Sequence, residues 1–273
     1  MPELPEVETI RRGLDETVIG LELSKVTVLL QKSFVGDYRT ILATSITSTK
    51  RRGKLLILNT SGPCSILIHL RMTGQLIFSP TGDHSRFPDK STKVIIDFST
   101  GETLYFNDYR TFGYIHVLET SRILEHSFLE KIGIEPFDVN FNSNYFAQLV
   151  SRCPGMNVKS FLLDQTKIAG LGNIYADESL FLAGVLPTRS LKSLSAKELN
   201  KLHISIVNIL TKGIQLGGSS RTSYVTVTGE KGMFLLEANV YGRAKLACRV
   251  CMTPIQKIKH AGRGTHFCHV CQT

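Results

Sequence analysis

The spacing of apolar residues in the first part of the chain predicts one helix followed by a series of strands. Val7, Ile10 and Leu14 recur at helical spacing, and Gly20 can close a helix that covers residues 5 to 17. After it come short runs of β-branched and aromatic residues, separated by clusters of Gly, Ser, Asn and Asp. We predict strands over residues 24–30, 54–59, 65–78, 93–98 and 103–117, with a hairpin turn at 99–102. This pattern is typical of an antiparallel sandwich or barrel that begins with a helix.

The spacing becomes helical in the second half of the chain. Residues 120–142 form a predicted connecting segment, in which Gly133, Pro136 and a polar run interrupt any regular pattern. The helices predicted after it cover residues 145–152, 158–163, 173–183 and 196–214. The predicted fold class is a multidomain α+β protein with a β domain at 1–119, a linker at 120–142, a helical domain at 143–232 and a cysteine-bearing module at 233–273.

Charge and composition narrow the class of protein. The chain has 273 residues and a formal net charge of +9, which favours a polyanionic partner but does not identify it. The tail from Tyr241 to Thr273 contains six Lys or Arg and no Asp or Glu. No apolar run has membrane-spanning length, and the N-terminus lacks the pattern of a secretory signal. We therefore expect a cytoplasmic protein, in which six cysteines are not a disulfide framework.

The cysteines near the C-terminus form the strongest motif. Two Cys-x-x-Cys pairs stand sixteen residues apart, at Cys248, Cys251, Cys268 and Cys271. Each pair can place two thiolates on one tight turn, and the spacing lies in the range of zinc ribbons. The alternative is two disulfides or unrelated thiols. A site with four Cys ligands has no open position, so the predicted ion is a structural Zn²⁺ that holds the hairpin between the pairs.

The first residues after Met1 offer a second kind of chemistry. Removal of Met1 would make Pro2 a free N-terminus, and its secondary amine could attack an electrophilic sugar carbon. Glu3 is then a carboxyl group beside that nitrogen, able to donate or accept a proton. The alternative is a simple helix start, because Pro5 suits the first turn and the glutamates favour its positive end.

Other candidates remain open from the residues alone. Arg110, with Met72 and Phe112 at predicted turns, would suit insertion into a base stack. The pattern alone favours the alternative, in which Met72 and Phe112 belong to the core and His69 is a buried histidine. Lys54 fits a charge at a strand end. The segment 168–173 ends in Asn173, a candidate helix cap, and could be a phosphate contact or an ordinary turn.

These motifs, in this order, resemble the formamidopyrimidine-DNA glycosylases, which are bacterial base-excision repair enzymes. The resemblance covers essentially the whole chain. It rests on the motifs at Pro2–Thr9, Leu171–Ala176, Val240–Arg243 and the four-cysteine finger. It implies a helix–two-turn–helix motif within the helical domain, and a partner that is double-stranded DNA with oxidised purines or abasic sites. We expect a monomer, because nothing in the sequence pattern requires a second subunit.

The resemblance also implies a role for each candidate residue. Pro2 would form the Schiff base and Glu3 would supply protons, while Lys54 would assist β-elimination and Arg263 δ-elimination and phosphate binding. His69 and Asn173 would hold phosphates, and Lys159 would lie near the damaged base or its flanking phosphate. Met72, Arg110 and Phe112 would fill the gap left by the flipped base.

Two alternatives to an oxidised-purine enzyme remain. One is an endonuclease VIII-like glycosylase for oxidised pyrimidines, although that relative usually has Gly where this chain has Leu4. The other is a damaged-DNA-binding relative without catalysis. The segment Ser219-Ser220-Arg221-Thr222 departs from the family pattern, because no Asp follows the Arg. In the family this loop closes over the oxidised base, so we expect the departure to affect base preference.

Overall fold

The computed structural model describes residues 1–81, 86–220 and 223–273. The described chain forms two compact units. The first contains Met1–Lys131 and Gly217–Gly232, and the second contains Ile132–Leu216 and Met233–Thr273.

The first unit begins with helix α1 (Leu4–Thr17), close to its predicted bounds. Val7, Ile10 and Leu14 have no exposed surface and form the stripe by which α1 packs on the sheet. Gly20 then takes a φ of +85°, a left-handed conformation that glycine adopts without strain.

The strands of the first unit form two sheets. They are β1 (Leu23–Val28), β2 (Phe34–Val35), β3 (Ile46–Arg52), β4 (Leu55–Thr60), β5 (Cys64–His69), β6 (Gly74–Ser79), β7 (Thr92–Phe98), β8 (Thr103–Asp108) and β9 (Tyr114–Glu119). Within the described residues the orders are β1-β7-β8-β6 and β2-β9-β5-β4-β3. All neighbours are antiparallel except β2 and β9. One apolar cluster takes side chains from both sheets and from α1, so the predicted sandwich with an N-terminal helix is confirmed.

Some predicted bounds were wrong. The predicted strand 65–78 is two strands, β5 and β6, and the predicted strand 103–117 is β8 and β9. The turns between them carry side chains of the candidate site. Strand β3 was not predicted, and the predicted linker contains a short helix α2 (Ser127–Glu130).

The segment Gly217–Gly232 belongs to the first unit, although the sequence placed it in the helical domain. The amide of Phe78 donates to the carbonyl of Val227 at 2.9 Å, and the side-chain amide of Gln75 donates to the carbonyl of Ser223. These bonds attach the segment to the edge strand β6.

The second unit contains the predicted helices. They are α3 (Ser143–Ser151), α4 (Val158–Leu163), α5 (Asn173–Ala183) and α6 (Ala196–Gln215), followed by a short α7 (Phe234–Glu237). Asn142 caps α3 and Asn157 caps α4, each through its side-chain oxygen. Helix α5 packs against α4 and α6. Strands β10 (Gln256–His260) and β11 (Arg263–Phe267) form the predicted hairpin between the cysteine pairs. Among the described residues, no helix has the length and apolarity needed to cross a membrane.

Candidate functional site

Pro2 and Glu3 lie at the entrance of α1. Both are buried, and Glu3 is the residue that caps the helix in an extended conformation. The amide of Glu3 donates to Oε2 of Glu6 at 2.7 Å, which fixes the backbone directly after Pro2. The proline nitrogen becomes an amine only when Met1 is absent. With Met1 removed, this position combines a secondary amine and a carboxyl group on adjacent residues.

Glu6 has a structural role that the sequence did not reveal. Its side chain is fully buried, and Oε1 accepts hydrogen bonds from the amide of Ser219 at 2.7 Å and from its hydroxyl at 2.9 Å. A Cβ added at Gly218 would lie 2.9 Å from Cγ of Glu6, so only glycine fits there. Glu6 therefore holds the loop after Gly217 against the start of α1. Arg221 and Thr222, where the loop departs from the family pattern, lie outside the described residues.

Lys54 follows the turn between β3 and β4. It is 6% exposed, so it is not the exposed strand-end charge that its pattern suggested. Gly53 before it has a φ of +58°, and its carbonyl accepts a hydrogen bond from Arg51 at 3.0 Å. Arg51 also binds Glu8 of α1 at 3.1 Å. The turn that carries Lys54 is thereby attached to the helix that carries Glu3.

His69 ends β5 as a buried, neutral imidazole. Burial, reinforced by the positive charges of Arg71 and Lys54 and by His126, lowers its pKa from 6.5 to about 3. Its Nδ1 accepts the amide hydrogen of Arg71 at 3.0 Å, so the ring proton of the neutral form lies on Nε2. The ring also packs edge-on against Phe128, with centroids 4.9 Å apart. His69 can thus donate one hydrogen bond to an anion without carrying charge.

Met72 and Phe112 lie in the two turns that interrupt the predicted long strands. They are 38% and 55% exposed, so they are not core residues. The guanidinium of Arg110 lies over the ring of Phe112, 5.1 Å from its centroid. Arg71 and Thr111 have φ values of +50° and +56°, which are uncommon for residues with a side chain. Each turn therefore presents an exposed apolar side chain on a constrained backbone.

Asp108 joins these two turns and was missed by the sequence analysis. Its side chain has no exposed surface. Oδ1 accepts from the hydroxyl of Thr73 and, at 3.1 Å, from the amide of Arg110, while Oδ2 accepts from the amide of Gly113 at 2.7 Å. The amide of Arg110 also lies 3.0 Å from the Thr73 hydroxyl. An aspartate that ends a strand just before a turn is the signal that could have found it.

The second unit contains the remaining candidates, among them Lys159 in α4. The Lys159 side chain is fully buried, and its ammonium is 2.6 Å from Oδ1 of Asp177. This burial departs from the placement expected of a DNA contact. That contact stays a prediction, without an accessible ammonium to support it.

Asn173 is the first residue of α5, and the cap is Gly172, so the prediction that Asn173 caps the helix was wrong. The Asn173 side-chain amide instead donates to the carbonyl of Gly264 in β11 at 3.0 Å. The phosphate contacts predicted for Asn173 and for the glycine-containing loop before it remain predictions.

Arg263 is exposed at the start of β11. The turn before it consists of Ala261 and Gly262, with φ values of +50° and +69°. Two positive φ values between the paired residues His260 and Arg263 indicate a type I′ hairpin turn. Arg263 therefore projects from a tight hairpin.

The four thiols of the finger lie close together. All Sγ atoms are within 4.8 Å of one another, with 3.4 Å between Cys251 and Cys268 and 3.8 Å between Cys248 and Cys271. Tetrahedral coordination at a Zn–S distance of about 2.3 Å places sulfur atoms about 3.8 Å apart. The donor set and spacing fit one structural Zn²⁺, as predicted. Met252, directly after the second cysteine, has a φ of +64°.

Three family models match the chain. They are the formamidopyrimidine-DNA glycosylase N-terminal domain at residues 1–115, the H2TH domain of the same enzymes at residues 132–225, and the zinc finger found in FPG and IleRS at residues 245–273. The chain belongs to the formamidopyrimidine-DNA glycosylase family. The predicted family, its class as a DNA glycosylase of DNA repair, and the zinc finger are thereby confirmed.

Individual family members are similar over their whole length. The formamidopyrimidine-DNA glycosylase of Halalkalibacterium halodurans is 41% identical over 278 residues, which covers 100% of both chains. The crystal structure of wild-type Lactococcus lactis Fpg with DNA containing N7-benzyl-Fapy-dG is 36% identical, with a TM-score of 0.90 and full coverage of both chains. The same values hold for a complex of that enzyme with DNA containing an oxidised pyrimidine.

Proposed function

We propose that this chain is a bifunctional DNA glycosylase and abasic-site lyase that excises oxidised purines, namely 8-oxoguanine and formamidopyrimidines. The observation that carries the proposal is the buried Pro2-Glu3 pair at the start of α1, in a chain of the formamidopyrimidine-DNA glycosylase family. A secondary amine beside a carboxyl group is the chemistry that base excision with strand cleavage requires. The enzyme would act on chromosomal DNA in the bacterial cytoplasm.

The reaction would begin when the nitrogen of Pro2 attacks C1′ of the damaged nucleotide. The C1′–N bond to the base breaks, and Glu3 gives the departing base a proton. Glu3 then takes up the proton that the Pro2 nitrogen loses and passes it to O4′ as the C1′–O4′ bond breaks and the sugar ring opens. The nitrogen lone pair then gives an iminium ion at C1′. Loss of a proton from C2′ expels the 3′ phosphate, and a further elimination expels the 5′ phosphate. Lys54 would assist the first elimination and Arg263 the second.

The exposed turns of the first unit have side chains that could fill the space left when a nucleotide flips out of the duplex. C1′ is inaccessible inside a stacked duplex, so the nucleotide must leave the stack at a cost of about a few kcal/mol. Met72, Phe112 and Arg110 offer two apolar side chains and a cation on turns that Asp108 holds together. We propose that they occupy the vacated space, while His69 donates to a backbone phosphate through Nε2.

The main alternative is a preference for oxidised pyrimidines. A relative, the Fpg of Lactococcus lactis, forms a complex with DNA that contains an oxidised pyrimidine. Leu4 favours the purine-directed enzyme, because the pyrimidine-directed relatives usually have glycine there. A relative that only binds DNA is the second alternative, and the presence of Pro2, Glu3 and Lys54 argues against it.

The test is borohydride trapping on duplex DNA that carries 8-oxoguanine opposite cytosine, with mass spectrometry of the N-terminal peptide. We expect a covalent adduct on Pro2. Pro2→Gly and Glu3→Gln should lose base excision while they keep DNA binding. Glu16→Gln is the matched control, because it removes an exposed carboxylate from the same helix.

Each outcome separates the alternatives. Full turnover by Glu3→Gln on 8-oxoguanine duplex would contradict the proposed proton donor. No adduct on 8-oxoguanine or on an abasic control, with Pro2 shown to be free, would indicate a DNA-binding relative without catalysis. A much faster reaction on a duplex with an oxidised pyrimidine would reverse the proposed base preference.

A further inference from the structure

A buried ion pair links three elements of the second unit. Lys159 of α4 and Asp177 of α5 are fully buried, with 2.6 Å between Nζ and Oδ1. The same ammonium donates to the hydroxyl of Thr265 in β11, also at 2.6 Å. Charges in a protein interior are costly unless they are paired and hydrogen-bonded. The pair therefore favours the arrangement in which α4, α5 and β11 meet.

Two successive carboxylates of α5, Asp177 and Glu178, accept hydrogen bonds from backbone amides before and after the first cysteine pair. Oδ2 of Asp177 accepts from the amide of His266 at 2.9 Å. Oε1 of Glu178 accepts from the amides of Val240 and Tyr241, both at 2.8 Å. The rings of Tyr241 and His266 then meet edge to face, with centroids 4.9 Å apart. Helix α5 thus binds both the hairpin and the segment that leads into the finger.

Thr265 links the buried ion pair to the backbone beside the exposed Arg263. Because its hydroxyl accepts from Lys159, its own hydrogen is left for the carbonyls of His260 and Arg263, each 3.4 Å away. These two residues flank the hairpin turn. Asn173 adds a bond to the carbonyl of Gly264 at 3.0 Å. Side chains of α4 and α5 therefore position the backbone of residues 263–266 through a series of hydrogen bonds.

We infer that Lys159 and Asp177 are positioning residues, which hold the β10–β11 hairpin so that Arg263 meets a DNA phosphate. Lys159 acts through Arg263 and does not itself bind DNA. An ammonium that moved to a phosphate would leave the buried carboxylate of Asp177 without its cation. The inference rests on the proposed function for the role of Arg263, but the placement of the hairpin can be measured without any reaction.

The first measurement is hydrogen exchange in the full-length, zinc-loaded protein. The variants are Lys159→Met, Asp177→Asn and both together, with Lys192→Met as the control for loss of an exposed lysine. Each single change leaves one buried group without the opposite charge of the pair. The double variant removes both charges and keeps an oxygen for the His266 amide. We expect the single variants to lose protection of that amide by on the order of 10- to 100-fold, and the double variant to regain most of it.

The second measurement is the ratio of δ- to β-elimination product. Trapping on Pro2 should stay unchanged, while each single variant loses δ product as Arg263→Ala does. In the Arg263→Ala background, Lys159→Met should cause no further loss, because residues that act through one another are not additive. The double variant Lys159→Met/Asp177→Asn should regain δ product together with exchange protection.

Three results would overturn the inference. Unchanged exchange in the single variants would show that the pair does not hold the hairpin. Regained protection in the double variant without regained δ product would make Lys159 a DNA ligand, as would independent losses of δ product from Lys159→Met and Arg263→Ala. If the wild type makes no δ product, the proposed function fails, while the exchange result still decides whether the pair positions the hairpin.

Discussion

Lowering the pH should destabilise the first unit through His69. The folded protein holds this imidazole neutral, because burial and then the neighbouring positive charges lower its pKa from 6.5 to about 3. Its Nδ1 is also occupied by the amide hydrogen of Arg71. The unfolded chain takes up a proton below about pH 6.5, and the folded chain does not. Stability from this residue is therefore present above pH 6.5 and is lost as the pH falls towards 3.

The size of the effect follows from the width of this window. One pKa unit corresponds to about 1.4 kcal/mol, so a fall from pH 6.5 to 5.0 should cost about 2 kcal/mol. His69→Gln removes the titrating group and keeps a side-chain donor. The variant should lose less stability than the wild type over this range, by about the same 2 kcal/mol.

Hydrogen exchange of the β5 and β9 amides, corrected for the intrinsic effect of pH, reports on this unit. The comparison with His69→Gln is needed because His116 and His126 also have pKa values lowered by burial. An equal loss of stability in both proteins between pH 6.5 and 5.0 would refute the reasoning. So would a His69 pKa near 6.5 from NMR titration of the wild type.

Two further predictions concern the turns and the finger. Asp108→Asn replaces one oxygen of a buried carboxylate with an NH₂ group that faces the amide of Gly113, so we expect the free energy of unfolding in urea to fall by about 2 to 3 kcal/mol and binding to a duplex with an abasic-site analogue to weaken. Asp97→Asn is the control, and unchanged stability of Asp108→Asn would show that the turns do not depend on Asp108. Met252 has a left-handed φ of +64°, so Met252→Gly should stabilise the finger by up to about 1 kcal/mol and slow zinc loss to a chelator. The control Val250→Gly should speed zinc loss, and faster zinc loss from Met252→Gly would contradict the prediction.

Regular apolar spacing made most of the fold predictable, and the errors have physical causes. The helices α1 and α6 show clear periods, and the bounds of α1, α4, α5 and α6 came within a few residues of the prediction. Strand β3 is rich in Thr, Ser, Lys and Arg, and it is a strand because β4 offers it a hydrogen-bonding partner. The strands predicted around Met72 and Phe112 were too long because apolar or aromatic residues recur within both turns.

The site was predictable where chemistry lies in adjacent residues and not where it depends on distant partners. The paired cysteines indicated the zinc site by their spacing, and the chemistry proposed for Pro2 and Glu3 likewise involves adjacent residues. The burial of Lys159 depends on Asp177, which lies in another helix. Glu6 gains its role from Ser219, more than two hundred positions away. No local pattern contains such information, because the partners meet only after the chain has folded.

The return of Gly217–Gly232 to the first unit has a consequence for the order of events during synthesis. A chain that grows from its N-terminus completes residue 131 about 100 residues before it completes residue 232. At ribosomal speeds of about 5 to 20 residues per second, that interval is roughly 5 to 20 seconds. For most of that interval, Ser219 and Val227 have not yet been made, so Glu6 and the edge of β6 lack these hydrogen-bonding partners. The N-terminal unit is therefore the first to begin folding on the ribosome, and it cannot finish until most of the second unit has also been made.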